Sequence, residues 1–377
     1  MEQVVKVFST TLREKLRKID WIVLLCVMSI SAISIITLAS VRNDYGTDKL
    51  IVQLFATVLG VLCAIVISMI DYQFVVQKLS IPLFVMAVIA LIITLIIGIG
   101  EGNKSWIRLP GIPLSIQPSE FTKIIFIITF ARHIDLVKSN INHIKNLIPL
   151  LVHAGIITGL VLLQKDLGTV LVYCVIICAM LFSAGLSIWY FIGGIAFFVV
   201  LFPAIWEHLD TYQQQRILFG FRPELDPLNY GYQPLMSKSA IAAGGFFGSG
   251  YFGGTEYQSI PKAHTDFIFA VMAEKFGFLG ALIFFILICT LVIRIIVIGR
   301  RARKQYGSYI CVGVAAVLIA QTVENIGMCL AMLPVVGITL PFMSYGGSSV
   351  LSLYIMIGVV ESIHTHKMNY FFEREKT

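Results

Sequence analysis

Apolar runs of about 20 residues recur along this chain between short polar stretches, and that is the length an α-helix needs to cross the roughly 30 Å hydrocarbon core of a bilayer. The first run is Trp21 to Ala39; others fall near 50–70, 81–100, 119–134, 146–163, 167–184, 187–206, 267–293, 309–332 and 340–363. With 58% hydrophobic and 13% charged residues in 377, the composition is far from that of water-soluble domains, so lipid is the expected solvent. The first run is too long for a signal-peptide core and no convincing cleavage site follows, so it is expected to be retained. The fold class expected is an all-α polytopic membrane protein with about ten transmembrane helices. Its organisation reads as an N-terminal segment (1–20), helices one to seven (21–206), a large loop (207–266), helices eight to ten (267–363) and a tail (364–377).

Orientation follows from Lys and Arg, which are retained on the cytoplasmic side. With both termini inside, the cytoplasmic segments hold seventeen: Lys6, Arg13, Lys15, Arg17 and Lys18; Lys78; Arg132, Lys138 and Lys145; Arg294, Arg300, Arg301, Arg303 and Lys304; and Lys367, Arg374 and Lys376. The opposite side holds nine, namely Arg42, Lys49, Lys104, Arg108, Lys165, Arg216, Arg222, Lys238 and Lys262. The net charge of +7 is thus mostly topogenic, lying against anionic inner-leaflet lipid, and does not signal nucleic acid. All seven cysteines fall within apolar spans without a CxxC pair, which supports neither a disulfide framework nor a zinc site.

On this topology residues 207–266 form a large extracytoplasmic loop between helices seven and eight. A loop of that length is functional or disordered, and its aromatic content argues for order. Leu235 to Ala243 has helical spacing but too few apolar residues to span, so an amphipathic or re-entrant helix lining a cavity is expected there. A second outer segment, Gly98 to Gln117, carries Trp106 between Lys104 and Arg108, then Pro110, Pro113 and, just beyond, Pro118. An interfacial anchor is the plain reading of such a tryptophan. The third outer segment, Gly337 to Ser349, is rich in small residues that permit close helix contact.

Ionisable groups within spans, or at their ends, cost about 2.5–3.5 kcal/mol at a helix centre unless paired or hydrated, so they are the informative ones. Glu120 and Lys123 share a helix face at i and i+3 and can pair. Asp166 lies in the outer turn between helices five and six, and Glu324 lies mid-span. Glu274 and Lys275 fall about two turns below Asp266. Asp266 itself, after Thr265 and before an apolar helix, suits a helix cap as well as it suits a catalyst. The cluster Gly244 to Gly254 lacks a P-loop lysine and reads as turns, and His264 alone suggests no metal.

Several stretches nevertheless resemble, in order, the signatures of the SEDS family (RodA, FtsW and SpoVE). They are Gln117-Pro-Ser-Glu-Phe-Thr-Lys123, Gln164-Lys-Asp-Leu-Gly-Thr169, Gln215-Arg216 with Asp226-Pro227, Gly231-Tyr-Gln233, His264-Thr-Asp-Phe-Ile-Phe-Ala270 and Leu340-Pro-Phe-Met-Ser-Tyr-Gly-Gly-Ser-Ser349. The ending Ser362-Ile-His-Thr-His366 and the compact length look most like RodA. The resemblance implies a peptidoglycan glycosyltransferase that joins lipid II units into β-1,4 glycan on the outer face of the bacterial cytoplasmic membrane, for cell elongation and rod shape, releasing undecaprenyl pyrophosphate. It also implies Asp266 as the catalytic aspartate and general base, Trp106 as the family's outer-loop tryptophan, and Glu120 with Lys123 as its helix-four pair. Asp166, Gln215, Arg216, His264 and Ser344 join Trp106, Glu120 and Lys123 as expected substrate-binding residues.

Implied partners are lipid II, a class B penicillin-binding protein transpeptidase and other elongation-complex proteins, with a divalent cation (Mg or Mn) left open. Three positions depart from the family pattern: Lys165 where proline is common, and Lys262 and Lys275 where glutamate is common. A transporter or flippase for lipid II is the alternative of another class, because intramembrane charges suit it. A scaffold recruiting a synthase, or a division or sporulation paralogue of the FtsW or SpoVE type, also fits.

Overall fold

In the computed structural model of the chain, residues 18–100, 103–108 and 115–366 are described. The basic residues Lys6, Arg13, Lys15, Arg17, Lys367, Arg374 and Lys376, with Pro110 and Pro113, lie outside the described residues, as do most of the 1–20 and 364–377 segments.

The long helices fall at the expected places. They are α1 (Trp21–Ser40), α2 (Thr47–Ser68), α3 (Tyr72–Ile97), α4 (Pro118–Val137), α5 (Ile144–Leu163), α6 (Leu167–Ser183), α7 (Ile188–His208), α10 (Ile268–Arg300), α11 (Gln305–Cys329) and α12 (Gly347–Thr365). Two shorter helices, α8 (Thr211–Phe221) and α9 (Tyr232–Gly244), lie in the large loop between α7 and α10. Among the described residues, eight helices are long and apolar enough to cross a membrane. Of the other two, α6 is apolar but has 17 residues, and α4 carries Glu120, Lys123, Arg132 and Asp135.

Helices α4, α11 and α12 form the centre of the bundle, and α12 packs along α2. That contact is close because its residues are small. A side chain at Gly60 would strike the Tyr354 ring at 2.5 Å, and one at Gly358 would come within 2.9 Å of the Ala64 backbone. The Tyr354 hydroxyl, deep in the bundle, shares a 2.9 Å hydrogen bond with Ser31 of α1. By contrast no residue of α7 is buried, consistent with a helix that is apolar all round and faces lipid.

Helix α10 corrects the expectation of one continuous eighth span. Gly277 sits inside it at φ 65 and ψ −164, so the chain forms two helical pieces around a break. Such a break strands backbone groups that lipid cannot satisfy. The glycine loop after α9 supplies the partners: Ser249 N donates to Glu274 O, Gly250 N to Lys275 O, Phe278 N to Gly245 O and Leu279 N to Phe246 O. Another difference concerns the segment before α12. Residues 340–346 are loop, and the helix begins only at Gly347.

Polar groups mark the two ends of the bundle. At one end Asp20 caps α1 through Ile22 N, receives Arg294 Nε at 2.7 Å, and donates its own N–H to Glu361. At the other, a short hairpin pairs Ile107–Arg108 with Ser115–Ile116, and Lys104 N donates to Gln164 O in the turn between α5 and α6.

Candidate active site

A cavity of about 640 Å³ opens at the hairpin end, with Trp106, Glu120, Arg216 and Asp266 in its lining. These four residues come from positions far apart in the sequence, and folding brings them to one wall system. Gln117, Gln233, Lys262, Thr339 and Tyr345 add polar lining. The expected helix over Leu235 to Ala243 is present within α9, but only Gln233, in its first turn, lines the cavity, and the stretch itself packs inward through Ser237 and Ala240.

Asp266 sits in a tight turn, its N–H and that of Thr265 both donating to Lys262 O. The residue at the N-cap of α10 is Phe267, with no side-chain cap, so Asp266 stands one residue before the cap position that the sequence left open to it. Two buried side chains hold the turn from behind. Asn325 Nδ2 donates to Asp266 O at 2.7 Å and to Ile338 O at 2.7 Å, and the Ser344 hydroxyl donates to Thr265 O at 2.6 Å while accepting from Leu340 N. Gly337, at φ +73, faces the carboxylate, since a Cβ there would lie 3.4 Å from Asp266 Oδ2.

Glu120 and Lys123 form the expected pair at 2.8 Å, both almost fully buried, and the second Glu120 oxygen accepts from Ser352 of α12. Glu120 reaches the cavity, and Lys123 lies behind it. Asp166 caps α6 through Thr169 N at 3.1 Å and accepts from Gln117 Nε2 at 3.0 Å, which ties the start of α4 to the start of α6. Burial pushes the Asp166 carboxyl upward, against the lowering effect of those two hydrogen bonds. It lines a smaller recess beside the main cavity with Lys165, Tyr212 and Arg216. The Arg216 guanidinium lies over the Tyr212 ring at 5.2 Å, a contact that orients it without neutralising it.

Of the eight expected substrate-binding residues, Trp106, Glu120 and Arg216 line the cavity; besides Lys123 behind the wall and Asp166 in the recess, three more do not. Gln215 precedes Arg216 on α8 and is half-buried elsewhere. Ser344 is spent on the backbone bonds above. His264 packs between Tyr45 and Tyr345, with ring centroids 4.7 and 5.7 Å away. Burial, reinforced by Lys49, pushes the His264 imidazole down to about 4, so it is neutral at ordinary pH.

Asn325 and Gln117 were not singled out from sequence. The signal available for Asn325 was a polar amide beside Glu324 within an apolar span, and for Gln117 its place at the head of the signature stretch Gln117 to Lys123. Glu274 and Lys275 form a neighbouring lock. Glu274 accepts the N–H groups of Glu256 and Tyr257, and the Lys275 ammonium donates to Gly253 O and lies 4.5 Å from the Tyr257 ring centroid. The lysine at this departure from the family pattern thus has a cation's partners.

The FtsW/RodA/SpoVE family model, described as cell cycle protein, matches residues 17–369. A probable peptidoglycan glycosyltransferase FtsW of Trichlorobacter lovleyi is 34% identical over 93% of this chain and 94% of its own length. The peptidoglycan glycosyltransferase MrdB of Escherichia coli is 39% identical over 76% and 77%. Among solved structures, a chain of a peptidoglycan synthase complex that coordinates polymerization and crosslinking superposes with a TM-score of 0.80 at 30% identity, covering 92% of this chain and 97% of that one. The rod shape determining protein RodA of Thermus thermophilus superposes with a TM-score of 0.71 at 25% identity, covering 93% and 98%.

Proposed function

The chain belongs to the FtsW/RodA/SpoVE (SEDS) family, whose relatives named above are peptidoglycan glycosyltransferases, and from that premise we propose that it polymerises lipid II with Asp266 as general base. The observation that carries this reading is a carboxylate on a turn braced by Asn325 and Ser344, facing a cavity that also holds Arg216.

In the proposed reaction the acceptor GlcNAc 4-hydroxyl attacks the anomeric carbon of the donor MurNAc. The new C–O bond forms on the face opposite the pyrophosphate, the bond to pyrophosphate breaks, and that carbon inverts. Asp266 takes the hydroxyl proton, a role worth about 10²–10⁴ in rate. No carboxylic acid is needed for the leaving group, because pyrophosphate departs as an anion once its charge is balanced. Arg216, which lines the cavity as Lys262 also does, is the cation assigned to that balance, with Lys123 acting through Glu120 from behind the wall, Arg108 on the nearby hairpin and Lys104 just before it. A divalent cation would need ligands; among the described residues no group of three or more His, Cys, Asp and Glu is placed to hold one. The lining aromatic Trp106 supplies a face for a sugar ring.

The topology that serves this chemistry has ten spans, both termini cytoplasmic and the cavity on the extracytoplasmic side, as the lysine and arginine distribution supports. A transpeptidase of the class B penicillin-binding protein type is the expected partner. The solved synthase complex, which coordinates polymerization and crosslinking, supports that expectation. We assign the chain to the elongation branch on the RodA-like ending at residues 362–366. Rescue of rod shape in cells depleted of their elongation polymerase is the expected result, whereas rescue of septation alone would move it to the division branch.

The central test feeds fluorescent lipid II to the purified chain with its cognate transpeptidase and resolves glycan by gel. Wild type yields polymer, and Asp266→Asn, nearly isosteric, yields at least a hundredfold less while keeping its fold and its partner. Undiminished polymer from Asp266→Asn would remove the base assignment.

A further inference from the structure

The glycine loop that repairs the α10 break turns its aromatic side chains outward. Phe247 and Phe252 are 77% and 95% exposed, and Phe246 packs on Phe278, the first residue beyond Gly277, with centroids 5.7 Å apart. Tyr251 packs edge-on against Phe252. From Gly244 to Thr255 the sequence has no charged residue. So large an exposed aromatic cluster, rigidly held by four backbone hydrogen bonds to α10, is not ordinary loop surface.

Two observations identify what covers it. First, the cluster is continuous with the lipid-facing side of α10, where Phe278, Leu282, Phe285 and Ile286 are all exposed. Second, at 1.5 Å per residue the helical piece from Phe278 to Arg300 is about 33 Å long, close to the thickness of the hydrocarbon core. The opposite polar end runs from Arg294, paired with Asp20, to Arg300 and Arg301, which puts Phe278 about 24 to 33 Å away from it. The break at Gly277 therefore lies near the outer edge of the hydrocarbon, close to the level aromatic residues favour.

We propose that loop residues 246–252 and Phe278 form an aromatic foot seated in the outer-leaflet interface against phospholipid, and that this foot fixes the height of Asp266 above the hydrocarbon. The connection to the site is direct. Behind the loop, Ser249 bonds to Glu274 O, while the Glu274 and Lys275 side chains pin residues 253–257, so the foot and the first piece of α10 move as one body. That piece starts two residues after Asp266. For a substrate whose pyrophosphate is held at the head-group level by its own lipid, the depth of the base is part of the binding geometry; this second half of the proposal rests on the polymerase reading above.

The test places benzoylphenylalanine at position 247 or 252, with Ser259, an exposed residue off the cluster, as control. The full chain in phosphatidylethanolamine and phosphatidylglycerol nanodiscs is irradiated and its intact mass measured. Phospholipid adducts several-fold above the control are expected at both positions. Adducts no higher than at 259, or crosslinks to a second protein chain instead, would overturn the foot. This readout needs no activity, so it stands or falls apart from the polymerase assignment. The height is tested with Phe247→Ser/Phe252→Ser, whose polymer yield should fall at least fivefold in nanodiscs and less than twofold in detergent. Equal losses in both would overturn it.

Discussion

Asn325 holds Asp266 and Ile338 together: one amide nitrogen, fully buried in α11, donates to both carbonyls at 2.7 Å. Through it the turn that carries the carboxylate and the loop that carries Gly337 become a single wall of the cavity. An amide in an apolar span that finds two acceptors is well placed, because each unmade bond there costs about 1–3 kcal/mol.

Replacing Asn325 with alanine should therefore lower stability by about 1–3 kcal/mol. Turnover should fall more than tenfold with a smaller change in KM, because a displaced base impairs the reacting geometry more than substrate binding. Thermal unfolding in detergent together with the lipid II gel assay checks both. A variant that melts early but turns over normally would show that the clamp is structural only.

Glu120 and Lys123 test how a buried pair is balanced. Glu120→Gln leaves the Lys123 ammonium buried without its counter-ion and should cost about 3–5 kcal/mol. Adding Lys123→Met should restore part of that stability, yet not the polymerisation. The four proteins of the double-mutant cycle, melted side by side, give the coupling.

Gly277→Ala should be among the most damaging single-methyl changes in the chain. Its φ of 65 with ψ −164 is a region open essentially to glycine, and a Cβ would meet Gly248 N at 2.3 Å and Phe246 O at 2.5 Å. A loss of at least about 2 kcal/mol is expected from strain and from opening the loop's hydrogen bonds. Gly248→Ala, whose Cβ would meet Lys275 O at 2.2 Å, should do the same. The double variant should lose less than the two singles added, because both open one junction.

His264 should make folding stability sensitive to acid. Its imidazole is held down to about 4 in the folded protein, against about 6.5 when unfolded, so between those values the unfolded chain binds the extra proton. Stability contributed at this site is thus present above about pH 6.5 and is lost as pH falls toward 4. His264→Phe keeps an aromatic ring between Tyr45 and Tyr345 and should flatten melting temperature against pH over that window. An unchanged slope would mean that other groups set it.

What the sequence determined by itself was whatever depends on local composition. Runs of about 20 apolar residues placed the helices, because a span must satisfy its own backbone and match the bilayer. The i, i+3 spacing of Glu120 and Lys123 put them on one face, and only the pair's burial needed the fold. Motif order pointed to Trp106, Arg216 and Asp266, and folding brought these distant positions to one cavity. Tertiary structure alone decided the rest. Whether Asp266 capped its helix or faced a cavity depended on the loop from Val335 to Ser344 and on Asn325, partners 59 or more residues away whose geometry no local pattern encodes. Ser344 and His264 lie in signature stretches, yet they brace and pack instead of lining the cavity, because neighbouring backbone and rings claim them first. The break at Gly277 was invisible for the same reason. A glycine within an apolar helix is common, and only the return of the Gly244–Gly250 backbone to the stranded carbonyls made departure from helix stable there.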